Sequence, residues 1–432
     1  MFFTCRGDEL PLIPKLGSWV PAIDNFISEL RGFHGYFADC FSRSEPRENF
    51  FRYMIGQFSQ LDRKSIESIA VHVAGGEVRS MQRFVSDAVW NEKLMLKKYH
   101  YLVDEDMGDE EGVCLLAEAS FVKKGDDSAG VAKQFCGETD KVANCQVGLF
   151  AAYASRHGYA LVDKRLFIPE LWFGEVFRVR REKCKVPHNL EHNNKSRLAV
   201  EMLEELWERA TLPFRYVATD CLWGNSADFI NCIEKLAGLV YFVSVNADTF
   251  CWLEPAAVEK EGFTREALAN KHLMRSQRKP ATVQSLAESL SDFFWYRRKI
   301  TEGSKGTIEY EFVKRRIVLA ASFHKRWVWL IIRRTIGISP SYSFFISNAP
   351  ENTRLARFVW LSGMHWAAEQ CLEEARDQLG MAHYEVRKYS GWNRHMLTSM
   401  LAHFFLWHMQ IRLGQKSSVY YGVTFEEWSL NT

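Results

Sequence analysis

The sequence has 432 residues, a length typical of about two or three domains. Its hydrophobic fraction of 47% and charged fraction of 25% match an ordinary globular protein with an ample core. The formal net charge of +2 neither demands nor excludes nucleic acid as a partner, because a basic face can coexist with an acidic site. No segment reaches the roughly 18 apolar residues of a membrane span, so we expect no membrane partner.

The ten cysteines include no CxxC pair, which argues against a structural zinc site. The start MFFTCRGDEL lacks the basic and apolar segments of a secretory signal. We therefore expect a cytoplasmic protein with reduced thiols.

Residues 1–105 are predicted to form an all-helical N-terminal domain. Strand signals are scarce there, and apolar residues recur at helical spacing in PAIDNFISELRGFHGYFADCF, ENFFRYMIGQF, RKSIESIAVHV and EVRSMQRFVSDAVWNEKLMLKKY. A helical domain of this kind can bind DNA or serve as a packing module. We expect DNA binding.

Residues 106–250 are predicted to form the first part of a mixed α/β core. After the apolar run EGVCLLAEAS come KQFCGE, NCQVGLFAAYAS and YALVDKRLFIP, which turn signals separate into three successive strands. The helix SRLAVEMLEELWERA, the strand RYVATDC, the helix SADFINCIEKLAG and the strand LVYFVSVN follow. The order βββαβαβ predicts an α/β fold with an RNase H-like mixed sheet.

The remaining chain is predicted to contain a β-rich insertion and then helices. Within residues 251–350, TVQSLAESLSDFF predicts a helix, EGSKG predicts a hairpin turn, and antiparallel strands are predicted at WYRRKITEG, TIEYEFVKRRIVLAAS, RWVWLIIRR and YSFFISNAP. Residues 351–432 hold the helical segments NTRLARFVWLSGMHWAAEQCLEEARDQLG and NRHMLTSMLAHFFLWHMQIRL. We expect a catalytic helix and C-terminal helices there.

Three acidic residues stand where an RNase H-like sheet gathers its carboxylates. Glu118 ends the first strand, Asp220 follows the strand YVAT, and Glu369 lies on the helix after the insertion. Converging carboxylates can hold the two divalent metals, about 4 Å apart, that phosphodiester cleavage by this fold needs. Taken singly, each has a simpler interpretation, because an Asp at a strand end is commonly a turn former or helix cap and most helical Glu residues are solvated.

Several longer motifs resemble transposases of the insertion-sequence seven-hundred-and-one family, within the insertion-sequence four group. They are FVKKGDDSAGVAKQFCGETDKVANCQVGLFAAYAS, RLFIPELW, VATDCLWGN, YSFFISNAP, LGMAHYEVRKYSGWNRHMLTSMLAH and, nearer the start, RYMIGQFSQLDRKSIESIA. The resemblance covers about residues 30 to 410. It implies an RNase H-like DDE transposase that cleaves and transfers DNA strands, in the cytoplasm of a bacterium and associated with its nucleoid.

The resemblance also assigns roles to the three carboxylates. Asp220 matches the family's second catalytic Asp, and Glu369 matches the catalytic Glu of its Arg-Trp-x-Ile-Glu motif. Glu118 takes the place of the first catalytic Asp. All three are thus expected to be catalytic and to bind Mg²⁺, with Mn²⁺ as the alternative ion.

Departures from the family pattern surround these carboxylates. Where the family reads Asp-Asp-Thr-Gly, residues 117–120 are Ala-Glu-Ala-Ser. The Arg that stands four residues before the catalytic Glu is His365, whereas the basic residue seven positions after it is kept as Arg376. We expect the fold to be retained and catalysis to be weakened.

Basic residues in three places are expected to contact DNA. They are Arg297, Arg298, Lys314 and Arg315 in the cluster at 296–316, Arg376 on the catalytic helix, and Arg394 and His395 of GWNRH. Further basic clusters lie at 178–185 and 325–334. Charge runs are commonly only solvated faces, and Trp392 with Arg394 has the simpler interpretation of a packed Trp beside a helix-capping Arg. The expected partner is double-stranded DNA at element ends, bound by a homodimer.

Three functions therefore remain open. The first is an active or weakened transposase, supported by Asp220 and Glu369. The second is a domesticated relative that binds DNA without cutting it, such as a regulator or accessory factor, supported by Ala117, Glu118 and His365. The third is a nuclease that uses the same site for hydrolysis only.

Overall fold

The computed structural model describes residues 23–253, 280–303, 306–319, 327–364 and 366–414. Contacts divide the chain into two compact units. Of the described residues, the helix-rich unit holds 23–110, 116–213 and 367–414, and the sheet-rich unit holds the others. None of the described helices is long and apolar enough to cross a membrane.

The helices and strands are numbered in chain order. The helices are α1 Ile23–Tyr36, α2 Ser44–Phe58, α3 Ile66–His72, α4 Val78–Ser86, α5 Glu92–Met107, α6 Arg178–Lys183, α7 Lys195–Arg209, α8 Cys221–Gly224, α9 Ala227–Lys235, α10 Val283–Ser289, α11 Leu355–Met364, α12 Trp366–Asp377 and α13 Tyr389–Gly414. The strands are β1 Val113–Val122, β2 Ala132–Cys136, β3 Lys141–Ser155, β4 Gly158–Phe167, β5 Tyr216–Thr219, β6 Val240–Val245, β7 Phe250–Leu253, β8 Ala281–Thr282, β9 Tyr296–Gly303, β10 Gly306–Leu319, β11 Trp327–Thr335 and β12 Tyr342–Ser347.

The helix-rich unit is assembled around α13. This helix is 26 residues long and most of its side chains are buried, including Trp392, Phe404 and Trp407. Its surroundings include the helices of the N-terminal segment and the strand β4. A helix that is apolar on nearly every face must be enclosed by other elements.

In the helix-rich unit, the long strand β3 pairs with two other strands, both antiparallel. Its first part pairs with β2 and its second part with β4. Four strands, β1 to β4, lie between α5 and α6, whereas the sequence pattern predicted three. The additional strand is β1, formed by the apolar run at 111–120, whereas the three predicted segments form β2, β3 and β4.

The sheet-rich unit contains a mixed sheet. Its strands follow the order β5-β6-β12-β11-β10-β7-β8, with β9 also paired to β10. β5 and β6 are parallel, whereas β6–β12, β12–β11 and β11–β10 are antiparallel. The mixed α/β class expected from the sequence is therefore confirmed.

Two predicted features fall partly outside the described residues. The turn EGSKG includes residues 304–305, which are not described, while its flanking residues Gly303 and Gly306 pair across β9 and β10. The predicted helix at 352–380 is observed as two helices, α11 and α12. His365, which stands between them, lies outside the described residues.

Close contact between α8 and β6 yields a test of this fold. A Cβ added to Gly224 would lie 1.9 Å from the carbonyl oxygen of Ser244 on β6, so Gly224→Ala must push backbone atoms apart. We expect a loss of about 1–3 kcal/mol in the free energy of unfolding, as for other overpacked sites.

Gly32→Ala is the control, because a Cβ at Gly32 within α1 meets no atom within 4 Å. It should stabilise the protein by up to about 1 kcal/mol through helix propensity. Urea unfolding of both variants measures the difference. A Gly224→Ala protein as stable as the wild type would contradict the observed contact.

Candidate active site

Glu118 is a half-buried carboxylate on β1, flanked by the buried residues Ala117 and Ala119. Its Oε2 atom lies 2.6 Å from Nζ of Lys195, and the two side chains are only 15% and 25% exposed. Among the described residues, this buried oxygen has no hydrogen bond of regular geometry. An ion pair with Lys195 is therefore its main electrostatic compensation.

Lys195 is the first residue of α7. The side chain of Asn194 caps this helix by accepting a hydrogen bond of 2.8 Å from the backbone N–H of Arg197. The Lys195 ammonium also lies 5.6 Å from the centre of the Phe167 ring on β4. A helix cap and an aromatic contact thus fix the cation beside β1. The sequence did not single out Lys195.

Helix α12 carries two further predicted residues, Glu369 and Arg376. Glu369 is exposed in its first turn. Arg376, seven residues later, donates a hydrogen bond to the backbone carbonyl of Ser120 and lies 4.9 Å from the Phe121 ring centre. Residues seven apart share one face of a helix. Glu369 and Arg376 therefore share one face of α12, on which Arg376 contacts the end of β1.

Asp220 stands in the sheet-rich unit at the carboxyl end of β5. Its side chain is half-buried and accepts a hydrogen bond of 2.9 Å from the backbone N–H of Leu222, capping the short helix α8. The simpler interpretation of an Asp at a strand end is thus confirmed. Capping fixes the direction of the carboxylate, which is also what a metal ligand needs.

The donor set can be compared with what a divalent metal needs. Carboxylate oxygens are the hard ligands that Mg²⁺ prefers, and the partly desolvated Glu118 already lies against a cation. These side chains therefore fit a divalent ion chemically. Within the part of the chain that the structure describes, no group of three or more His, Cys, Asp or Glu side chains is arranged to hold a metal. Convergence of Glu118, Asp220 and Glu369 stays a prediction.

The basic residues predicted at 296–316 lie on two paired strands of the sheet-rich unit. Arg297 on β9 is exposed and pairs with Glu309, its Nη2 lying 2.6 Å from the carboxylate. The exposed Arg298 lies 5.7 Å from the Tyr296 ring centre. On β10, the Lys314 ammonium donates to the backbone carbonyl of Thr353.

Burial affects two cations of β10. Lys314 lies 4.3 Å from the Trp329 ring centre, and Arg315 lies 4.7 Å from that of Phe294. Burial lowers the pKa of both side chains from their usual values. These cations are thus interleaved with aromatic rings rather than fully solvated.

Arg333 on β11 shares the face of the sheet that carries Lys314, opposite to the face of Arg315, and was missed among the individual residues proposed from sequence. It lies across from Phe312 of β10 and 4.7 Å from the Tyr310 ring centre. Burial lowers the pKa of its guanidinium. The basic cluster at 325–334 was visible in the sequence. Only the register between β10 and β11 shows that Arg333 lies on the same face of the sheet as Phe312.

The basic cluster at 178–185 is largely paired with acids. Arg178 contacts Glu175, Lys183 lies 2.5 Å from Asp127, and Lys185 lies 3.4 Å from Asp87. This arrangement favours the interpretation of a solvated, salt-bridged surface for that cluster.

The residues of GWNRH lie in the interior of the helix-rich unit. Trp392 is fully buried and Arg394 is 8% exposed, with its Nε 2.8 Å from Glu92. The Nε2 atom of His395 donates to the backbone carbonyl of Met381, so its Nδ1 accepts from the Tyr53 hydroxyl at 2.7 Å. These contacts accord with the simpler interpretation of a packed motif.

Comparisons with known proteins bear on the family of this chain. The model of the family described as DDE superfamily endonuclease matches residues 36–307. Among solved structures, similarity is found to a piggyBac transposase synaptic complex with hairpin DNA, at 7% identity and a TM-score of 0.44, covering 95% of this chain and 77% of that one. The NurA nuclease from Sulfolobus solfataricus matches at 9% identity and a TM-score of 0.28, covering 77% and 95%. No curated protein matches the sequence.

Burial of His395 predicts a pH-dependent stability. Burial lowers its pKa from 6.5 to about 4, so the unfolded chain takes up a proton at a higher pH than the folded protein does. The stability is complete above pH 6.5 and is lost as the pH falls toward 4. Between pH 7 and pH 5 this residue should cost about 2 kcal/mol in the free energy of unfolding.

Urea unfolding of the wild type and His395→Gln at both pH values isolates this contribution. The variant should show the smaller decrease, even though it is less stable at pH 7. His157→Gln, on the exposed turn between β3 and β4, controls for the substitution itself. Equal decreases in the wild type and His395→Gln would show that another group is responsible.

Proposed function

The chain belongs to the DDE superfamily endonuclease family, whose model matches residues 36–307, and we propose that it is a DNA transposase of the insertion-sequence seven-hundred-and-one type with an RNase H-like core. The family membership carries this proposal. The sequence motifs and the placement of Asp220 at the carboxyl end of β5 support it.

In this proposal Glu118, Asp220 and Glu369 hold divalent metal, Mg²⁺ or Mn²⁺. The metal supplies activation of the attacking oxygen and stabilisation of the leaving oxygen. Asp220 contributes a carboxylate whose direction is set by its hydrogen bond to Leu222 N–H. Arg376 positions α12 against β1 through the Ser120 carbonyl, and this contact orients the helix that carries Glu369.

DNA binding is proposed for cations on β9 and β10 of the sheet-rich unit. Arg298 is exposed, and Lys314 and Arg315 lie among aromatic rings, an arrangement that suits both phosphates and the faces of bases. The helices that precede β1 would add a second DNA-binding surface. A homodimer bound at the two ends of an element is the proposed assembly. Because Arg394 and His395 are buried and paired, we assign them packing roles in this proposal.

A second function is favoured by the residues around Glu118. The family's paired Asp residues are replaced by Ala117 and Glu118, and the Glu118 carboxylate is engaged by Lys195. Both features would weaken metal binding. A DNA-binding relative that no longer cleaves, acting as a regulator or accessory factor, is therefore the alternative.

Removal of the carboxylates tests the proposal. Asp220→Asn and Glu369→Gln should each reduce cleavage of DNA bearing the element ends by at least about a hundredfold, because the catalytic ions lose a ligand. Gel-shift affinity for the same DNA should stay within about twofold of the wild type, since the proposed phosphate contacts lie elsewhere. Glu373→Gln, an exposed glutamate on the same helix, is the matched control and should cleave normally.

Cleavage that persists in both Asp220→Asn and Glu369→Gln would refute the proposed catalytic site. If the wild type binds DNA but never cleaves it with either ion, the regulator function is supported instead.

The extra methylene of Glu118 generates a separate test. A Glu carboxylate reaches about 1.5 Å further than an Asp carboxylate, whereas catalytic ligands tolerate about 0.5 Å of displacement. If the longer side chain is the only defect of the site, Glu118→Asp should raise the cleavage rate by about tenfold or more. Single-turnover cleavage with Mg²⁺ and with Mn²⁺ measures this. A Glu118→Asp protein that cleaves no faster than the wild type would show that the length of Glu118 does not limit cleavage.

A further inference from the structure

The ion pair between Lys195 and Glu118 occupies a carboxylate that the proposed metal site would use. Nζ of Lys195 lies 2.6 Å from Oε2 of Glu118, between elements that are distant in sequence, the start of α7 and the strand β1. The side chains are 25% and 15% exposed. Because solvent screens such a pair only in part, its attraction exceeds that of an ordinary surface ion pair.

The ammonium is held by more than its attraction to the carboxylate. Asn194 fixes the beginning of α7, and the Phe167 ring on β4 lies within cation–π distance of Nζ. Lys195 is therefore anchored from two sides in a position where it meets the carboxylate. The pair of Arg178 with Glu175, by contrast, joins residues three apart whose side chains are 57% and 82% exposed.

A divalent cation bound by Glu118 would need the carboxylate that Lys195 contacts. Two cations within contact distance of one oxygen repel each other strongly when water is partly excluded. The ammonium must therefore move away, or share the carboxylate at a cost, before a metal can bind.

We propose that Lys195 is a positioning residue for Glu118, which holds the carboxylate on β1 and competes with divalent metal for it. This inference rests on the proposed function, in which Glu118 is a metal ligand. It makes Lys195 a determinant of how tightly the site binds metal. The length of Glu118 contributes, because an Asp at this position would end about 1.5 Å further from the ammonium.

Binding of Mn²⁺ to the full chain tests the proposal, with free Mn²⁺ measured by electron paramagnetic resonance. Lys195→Met keeps the length and packing of the side chain and removes its charge, so Mn²⁺ should bind about tenfold more tightly than to the wild type. Lys195→Arg keeps the charge and should bind Mn²⁺ as the wild type does. Lys98→Met is the matched control, because Lys98 lies 2.5 Å from Asp39 and is 19% exposed. It should leave Mn²⁺ affinity unchanged.

Glu118→Gln separates failure of this inference from failure of the proposed function. If Glu118→Gln weakens Mn²⁺ binding but Lys195→Met binds no more tightly than the wild type, the competition is overturned and the metal site stands. If neither the wild type nor Lys195→Met binds Mn²⁺, the inference and the proposed metal role of Glu118 are both refuted. The same holds if Glu118→Gln leaves Mn²⁺ affinity unchanged in the wild type and in the Lys195→Met variant. Thermal unfolding of each variant verifies its fold, and Lys195→Gln replaces Lys195→Met if that variant does not fold.

Discussion

The buried carboxylate of Glu374 links the candidate site to the core of the helix-rich unit. Burying a carboxylate is costly unless hydrogen bonds compensate it. Here the Tyr159 hydroxyl donates to Oε1 at 2.9 Å, the Gln370 amide donates to the same oxygen at 2.8 Å, and His403 Nε2 lies 2.7 Å from Oε2. These partners come from β4, α12 and α13, so the position of α12 is determined by the core.

The position of α12 in turn determines the surroundings of β1. Glu374 lies between Glu369 and Arg376 on the same helix, and Arg376 reaches the Ser120 carbonyl. Rotation of α12 would withdraw Glu374 from its partners as well as Arg376 from β1. Because interiors are closely packed, such a helix has one favoured rotation and not a range of them. The helix-rich unit thus presents its candidate site residues on a rigid support.

The acidic candidates differ in how their charge is accommodated. Asp220 uses a helix cap, and Glu118 uses the ammonium of Lys195. Each of these interactions gives its carboxylate a structural role that needs no catalysis. A single carboxylate in a sequence is therefore weak evidence for catalysis. The motifs that resemble insertion-sequence transposases are what predict a common catalytic role for both residues.

The sequence by itself determined most of the elements and the DDE endonuclease character of the family. Apolar periodicity located β5, β6 and α7 within a few residues, because side-chain spacing reflects local backbone geometry. It counted three strands between α5 and α6 where four are present, because the apolar run at 111–120 forms the additional strand β1. Only the tertiary structure decided that Lys195 meets Glu118 and that His395 is buried and has a lowered pKa. Those properties depend on partners remote in sequence and on exclusion of water, neither of which a local pattern of residues encodes.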